Sequence, residues 1–151
     1  MITGDLNNKR KSQDPNSEVS HINYSYYPLL PSIEATINNI KGLFILDTGA
    51  SNTCSDLTQL EKFKLISQKS EIKASSATDL MQETKVSNKN KLEIGKWVNN
   101  SCSLVLFDLN HINSALSERE IQKVDGIIGA DTLKKGKAII DYEKSRLYLK
   151  L

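Results

Sequence analysis

At 151 residues with 38% hydrophobic content, the chain suits one domain large enough to bury a core without covalent staples. Its 20 basic residues nearly balance 18 acidic ones, which argues against nucleic acid or an anionic membrane surface as the main partner. Two cysteines, Cys54 and Cys102, and two distant histidines, His21 and His111, cannot make a disulfide framework or a zinc site, so neither a metal nor another cofactor is expected. A single disulfide stays open.

Residues 1–22 are polar and lack the apolar mass to offset the entropy of ordering, so they are expected to form a flexible tail ahead of a domain over 23–151. No stretch there resembles an export leader. The longest aliphatic or aromatic run is Leu43-Phe44-Ile45-Leu46, too short to span a bilayer. The chain as written is therefore expected to be soluble and cytoplasmic, or exported or periplasmic if a natural leader has been trimmed away.

Period-two alternation over 33–37 predicts a half-buried strand, a turn is expected over 38–42, and 43–46 resumes as a buried strand. This hairpin ends in Asp47. Leu57, Leu60 and Phe63 stand at helical spacing and predict a short helix over 57–65. Further strands are expected over 71–74, 81–87, 91–94, 97–99 and 103–106, with Gly95-Lys96 as a tight turn. Ile112, Ala115 and Leu116 mark a second helix. The chain then closes with an apolar stretch over 124–128, a helical turn stopped by Gly136, and strands over 138–142 and 146–151 joined by Glu143-Lys144-Ser145. Many short strands and few helices predict a mostly β fold, a small closed barrel with one or two short helices.

Chemistry concentrates at Asp47. A carboxylate directly after a buried strand loses water, which is costly unless the turn compensates. Thr48 offers a hydroxyl, and Gly49 offers a backbone free to approach closely and to take unusual dihedrals. Such a turn can hold an acid/base carboxylate rigidly. By itself, however, Asp-Thr-Gly is common in surface turns.

Its surroundings make it more specific. Leu46-Asp47-Thr48-Gly49-Ala50-Ser51 resembles the active-site turn of the retropepsin-like aspartic proteases. Val124-Asp125-Gly126-Ile127-Ile128-Gly129-Ala130-Asp131 is similar to that family's second signature, and the segments 138–142 and 147–149 resemble the closing strands of bacterial single-domain members. The resemblance runs from Tyr24 to the end of the chain. It implies a closed barrel of the retropepsin-like acid protease type, and an endopeptidase acting on a peptide or protein substrate. Asp47 would be catalytic, Thr48 and Gly49 would shape its turn, and Ile127, Ile128 and Gly129 would form the supporting loop. A flap is implied over 71–87, with Ser75, Ser76, Ala77 and Thr78 near its tip, although this segment lacks the glycines of retroviral flaps.

The family's mechanism needs two carboxylates sharing one proton. This chain holds a single Asp-Thr-Gly and no Asp-Ser-Gly, so the resemblance implies a homodimer with one Asp47 from each copy. Ser51 and Ala130 replace an acidic residue and an arginine that pair in retroviral enzymes; their joint loss strands no charge and points to a different support. Ala50 replaces the hydroxyl residue of pepsin-like enzymes, which predicts a pH optimum less acidic than theirs, above about pH 3.

Other readings are weaker. A catalytically silent dimer of the same fold, binding peptides or a partner protein, is the main alternative. Asp125 could form a dyad with Asp47 within one chain, but Asp-Gly is also a common turn pair. A phospho-aspartate enzyme would need an acidic residue where Gly49 stands. A Cys102–His111 thiol pair has no supporting context, while Asp141 and Trp97 read as structural.

Overall fold

The computed structural model describes residues 19–25, 31–75 and 81–151. Alternation sends Ile33, Ala35 and Ile37 inward from strand β1′s neighbour in sequence, β2 (Ser32–Ile37), the strand β1 itself being Val19–Asn23. Asn38 and Asn39 take φ of 50° and 70°, the left-handed pair that a two-residue hairpin needs. The turn expected over 38–42 therefore contracts to two residues. Strand β3 (Ile40–Leu46) begins at once, in register Ile37↔Ile40 through Ser32↔Ile45.

Beyond β3 come β4 (Cys54–Asp56), β5 (Gln68–Ser75), β6 (Met81–Ile94) and β7 (Trp97–Phe107). Helix α1 (Asn110–Glu118), β8 (Gly126–Ile128), helix α2 (Ala130–Lys135), β9 (Ile139–Asp141) and β10 (Arg146–Lys150) complete the chain. Strands pair in the order β2-β3-β8-β4-β7-β6, and β6 returns to β2 through Thr36↔Glu93 and Ile37↔Leu92. A six-stranded barrel is thereby closed, as the strand-rich sequence predicts. Strand β5 extends from the outer side of β6, and β1-β10-β9 form a separate sheet. Phe44, Phe63, Ile33, Ile37, Leu92, Ile94, Leu104, Leu106, Ile128 and Leu147 fill the main core, each side chain contributing about 1.5–3 kcal/mol by burial.

Four sequence expectations are corrected. Of the tail expected over 1–22, residues 19–22 instead belong to β1, which pairs with β10 in register Val19↔Lys150 to Asn23↔Arg146, and the remainder lies outside the described residues. Only the distant C-terminal strand makes that polar stretch a strand, and Ser20 is buried there, accepting from Lys96 N at 2.8 Å. The segments 81–87 and 91–94 fuse into β6, and 97–99 and 103–106 into β7, because irregular register absorbs their polar residues. Buried Asn90 donates to Ser87 O at 3.0 Å and accepts from Asn38 Nδ2 at 2.9 Å, so no break is needed. The helix over 57–65 shrinks to a 3-10 turn at Leu57–Gln59 followed by irregular turns, ending where Lys64 takes φ of 55°. The second helix forms as expected, with Leu116 buried. Among the described residues no helix is long and apolar enough to cross a membrane.

Candidate active site

Strand β3 delivers Asp47 to one end of the barrel. Its neighbour β8 runs parallel, pairing Phe44↔Gly126, Ile45↔Ile127 and Leu46↔Ile128. Asp47 N donates to Ile128 O at 3.0 Å, which carries the ladder one residue past the strand end. The turn then closes on itself: Gly49 N donates to Asp47 Oδ1 at 2.9 Å, and Ala50 N to Asp47 O at 3.3 Å. Thus Ile127, Ile128 and Gly129 lie beside the Asp47 turn. Gly49 does not use the left-handed dihedrals allowed to it; its role is proximity, since a Cβ there would come 3.3 Å from Asp47 Oδ1. Asp47 is partly buried, whereas Thr48 and Gly49 are exposed.

A second layer locks that turn to the start of α2. Ala130 N donates to Ala50 O at 2.7 Å, Asp131 N to Ser51 O at 3.3 Å, and Gly129 N to Thr53 Oγ1 at 3.1 Å. Asp131 Oδ1 accepts from Thr53 N at 2.8 Å, from Thr53 Oγ1 at 2.7 Å and from Thr132 N at 2.7 Å. Where a retroviral-type ion pair would stand, Ser51 and Ala130 carry no charge, and the two segments are joined instead by the backbone bonds Ala130 N to Ala50 O and Asp131 N to Ser51 O, with the Asp131 carboxylate as the polar clamp. Gly126 and Gly129 permit the approach. A Cβ at Gly126 would stand 2.1 Å from Cys54 O, and one at Gly129 would stand 2.6 Å from Asn52 O.

The sequence reading missed Asp131 and Thr53. Their only local sign is an acidic residue in the first turn of a predicted helix, and the two lie 78 positions apart.

Asp125 is placed elsewhere. Its Oδ2 accepts from Leu43 N at 2.9 Å and its Oδ1 from Lys62 Nζ at 3.0 Å, while its own N–H donates to Leu43 O at 2.8 Å. Leu43 lies four residues before Asp47 on an extended strand, a separation of roughly 13 Å. An intrachain Asp47–Asp125 dyad is thereby excluded. Asp141 is fully buried and accepts from Lys144 N at 3.0 Å, and Trp97 packs in the core, both structural as the sequence suggests.

Both cysteines are free. Burial first, then the charges of Asp131 and Asp47, push the Cys54 thiol up to about 12. Burial likewise pushes Cys102 up to about 12, with Asp131 adding and Lys135 opposing. Neither thiol is nucleophilic near neutral pH, which removes the Cys102–His111 pair. Among the described residues no cluster of three or more His, Cys, Asp or Glu side chains is arranged to hold a metal.

Strands β5 and β6 form an antiparallel hairpin with Ser75↔Met81 as its last pair. Ser75 thus ends β5, whereas Ser76, Ala77 and Thr78 lie outside the described residues. Beside Asp47 opens a pocket of about 250 Å³ lined by Tyr24, Pro31, Leu46, Thr48, Ile140 and Tyr142 among others.

Residues 33–132 match the family model described as aspartyl protease. Among solved structures, the chain is similar to a retropepsin-like aspartic protease from Rickettsia conorii, with 22% identity and a TM-score of 0.58 over 89% of this chain and 94% of that one. It is also similar to EIAV protease complexed with the inhibitor HBY-793, with 15% identity and a TM-score of 0.55 over 74% and 91%. The retroviral protease-like domain of Ddi1 from Leishmania major gives 17% identity and a TM-score of 0.55 over 80% and 87%. These structural likenesses establish the retropepsin-like fold. No curated protein matches the chain.

Proposed function

Because the chain belongs to the aspartyl protease family, we propose that it is an aspartic endopeptidase in which Asp47 pairs with Asp47 of a second copy across a two-fold axis. One observation carries this most directly. The chain has a single Asp-Thr-Gly, and its aspartate holds only one side-chain hydrogen bond among the described residues, from Gly49 N to Oδ1. The second oxygen is left for a partner acid, a proton or water.

In the paired site the two carboxylates carry one proton between them, since like charges that close cannot both ionise. The ionised oxygen takes a proton from water as that water attacks the scissile carbonyl carbon. The protonated carboxyl donates its hydrogen bond to the carbonyl oxygen. The tetrahedral intermediate then collapses as the amide nitrogen is protonated and the C–N bond breaks. No covalent bond to the enzyme forms. Thr48 and Gly49 shape the turn, Ile128 O and the Asp131 clamp fix its position, and the β5–β6 hairpin closes over the substrate. The domain that performs this runs from β1 to β10.

Two measurements test it together. Asp47→Asn is expected to abolish cleavage of a peptide library while leaving dimerisation and peptide binding in place. Undiminished cleavage by that variant, or cleavage by a strictly monomeric unmodified chain in sedimentation, would overturn the proposal.

A further inference from the structure

The C-terminal sheet constrains how a second copy can approach. Strand β10 is hydrogen-bonded on both sides, by β1 through Val19↔Lys150 to Asn23↔Arg146 and by β9 through Arg146↔Asp141 to Tyr148↔Ile139. No partner strand can enter beside it. Among the described residues β9 pairs only with β10 and forms an edge of its sheet. That edge ends at Tyr142, which is 66% exposed and lines the pocket that also holds Asp47.

An amphipathic ring left in water beside a hollow with aliphatic walls and a polar rim at Asp47 and Thr48 can be complementary to its own copy. A two-fold axis makes the contact isologous, so whatever borders Asp47 on one copy meets the same border on the other. The hollow, at about 250 Å³, falls below the roughly 300–1,000 Å³ typical of small-molecule sites and suits a single large side chain. Its walls include Ile140, Leu46 and Pro31, which suit the face of an aromatic ring, and the Tyr142 hydroxyl can stay at the wet rim. The turn after Tyr142 carries exposed Glu143 and Lys144, opposite charges that do not repel their own copy.

We propose that Tyr142 of each copy seats in the pocket beside Asp47 of the other, so that the second chain fills that hollow and packs against each Asp47 turn. This rests on the pairing of Asp47 with its own copy. It adds that the dimer is held through side chains at the β9 edge and not by strands interleaved at β10.

The experiment is sedimentation and cleavage by the full chain carrying Tyr142→Ala or Tyr142→Phe. Because Tyr142 is exposed in the single chain, truncation leaves the fold intact, which circular dichroism checks. Tyr142→Ala is expected to raise the dimer dissociation constant at least about tenfold, and Tyr142→Phe to change it less than about threefold. A photoreactive benzoyl-phenylalanine in place of Tyr142, mixed with isotope-labelled chain, is expected to form adducts across copies at Leu46, Ile140 or Pro31. If Tyr142→Ala dimerises normally and only its substrate preference changes, or if adducts stay within one chain, the Tyr142 contact is overturned while Asp47 pairing stands. Cleavage by a strict monomer removes the pairing itself, and the contact with it.

Discussion

The two ends of the β3–β8 ladder each carry a carboxylate, and they treat it oppositely. At the start of β8, Asp125 has both oxygens engaged, by Leu43 N and by Lys62 Nζ at 3.0 Å, and its backbone joins the same strand. At the far end, the Asp47 carboxylate is held, among the described residues, by a single N–H from Gly49 and borders an open pocket. A carboxylate whose lone pairs are satisfied within its own chain is spent on folding, whereas one pinned at a single oxygen has geometry without saturation. The two ends are built from the same strand pair, so the difference lies in what surrounds each carboxylate.

Exchanging the two tests that contrast most sharply. Asp47→Asn should lower cleavage by at least about 10³-fold with little change in the denaturant midpoint. Asp125→Ala should do the reverse, keeping activity within a few-fold but costing about 1–3 kcal/mol in urea unfolding through the stranded Leu43 N–H. If Asp125→Ala removes activity from a folded, dimeric protein, the division of labour fails.

The close approach that sets the Asp47 end in place is next in size. Gly126→Ala puts a Cβ where Cys54 O stands 2.1 Å away, so a loss above about 3 kcal/mol is expected by thermal or urea unfolding. A near-neutral result would mean that β4 and β8 separate readily enough to admit a methyl group. Smaller again is the clamp at Asp131. Asp131→Ala removes an acceptor of three hydrogen bonds and should cost about 1–3 kcal/mol, whereas Asp131→Asn keeps an Oδ1 and should cost less than about 1 kcal/mol. Equal losses would show that charge, not hydrogen bonding, is what matters there.

An effect absent at neutral pH and confined to alkaline solution comes from the thiols. Below pH 9.0, the ordinary thiol value, folded and unfolded chains both keep Cys54 and Cys102 protonated, and stability does not depend on them. Between that value and about 12 the unfolded thiols ionise while the folded ones do not, so stability falls as pH rises through this window. Urea midpoints at several alkaline pH values should show that slope. The double variant Cys54→Ala, Cys102→Ala should flatten it.

What the sequence determined by itself is local. Alternation over 33–37 and the apolar run into Asp47 specify a hairpin whose second strand ends in a carboxylate, because side-chain period reports which face is buried. Gly126-Ile127-Ile128-Gly129 marks a short buried segment between close contacts, and Ile112 with Leu116 marks one face of α1. Tertiary structure decided everything that depends on a partner remote in sequence. It made Val19–Asn23 a strand by supplying β10, carried β6 through its polar middle by burying Asn90 with partners, tied Asp125 to Leu43 and Lys62, and joined Thr53 to Asp131. The physical reason is that an apolar side chain declares its preference for the interior wherever it stands. A polar group's role is set by the donor or acceptor it meets, and that neighbour is known only once the chain has folded.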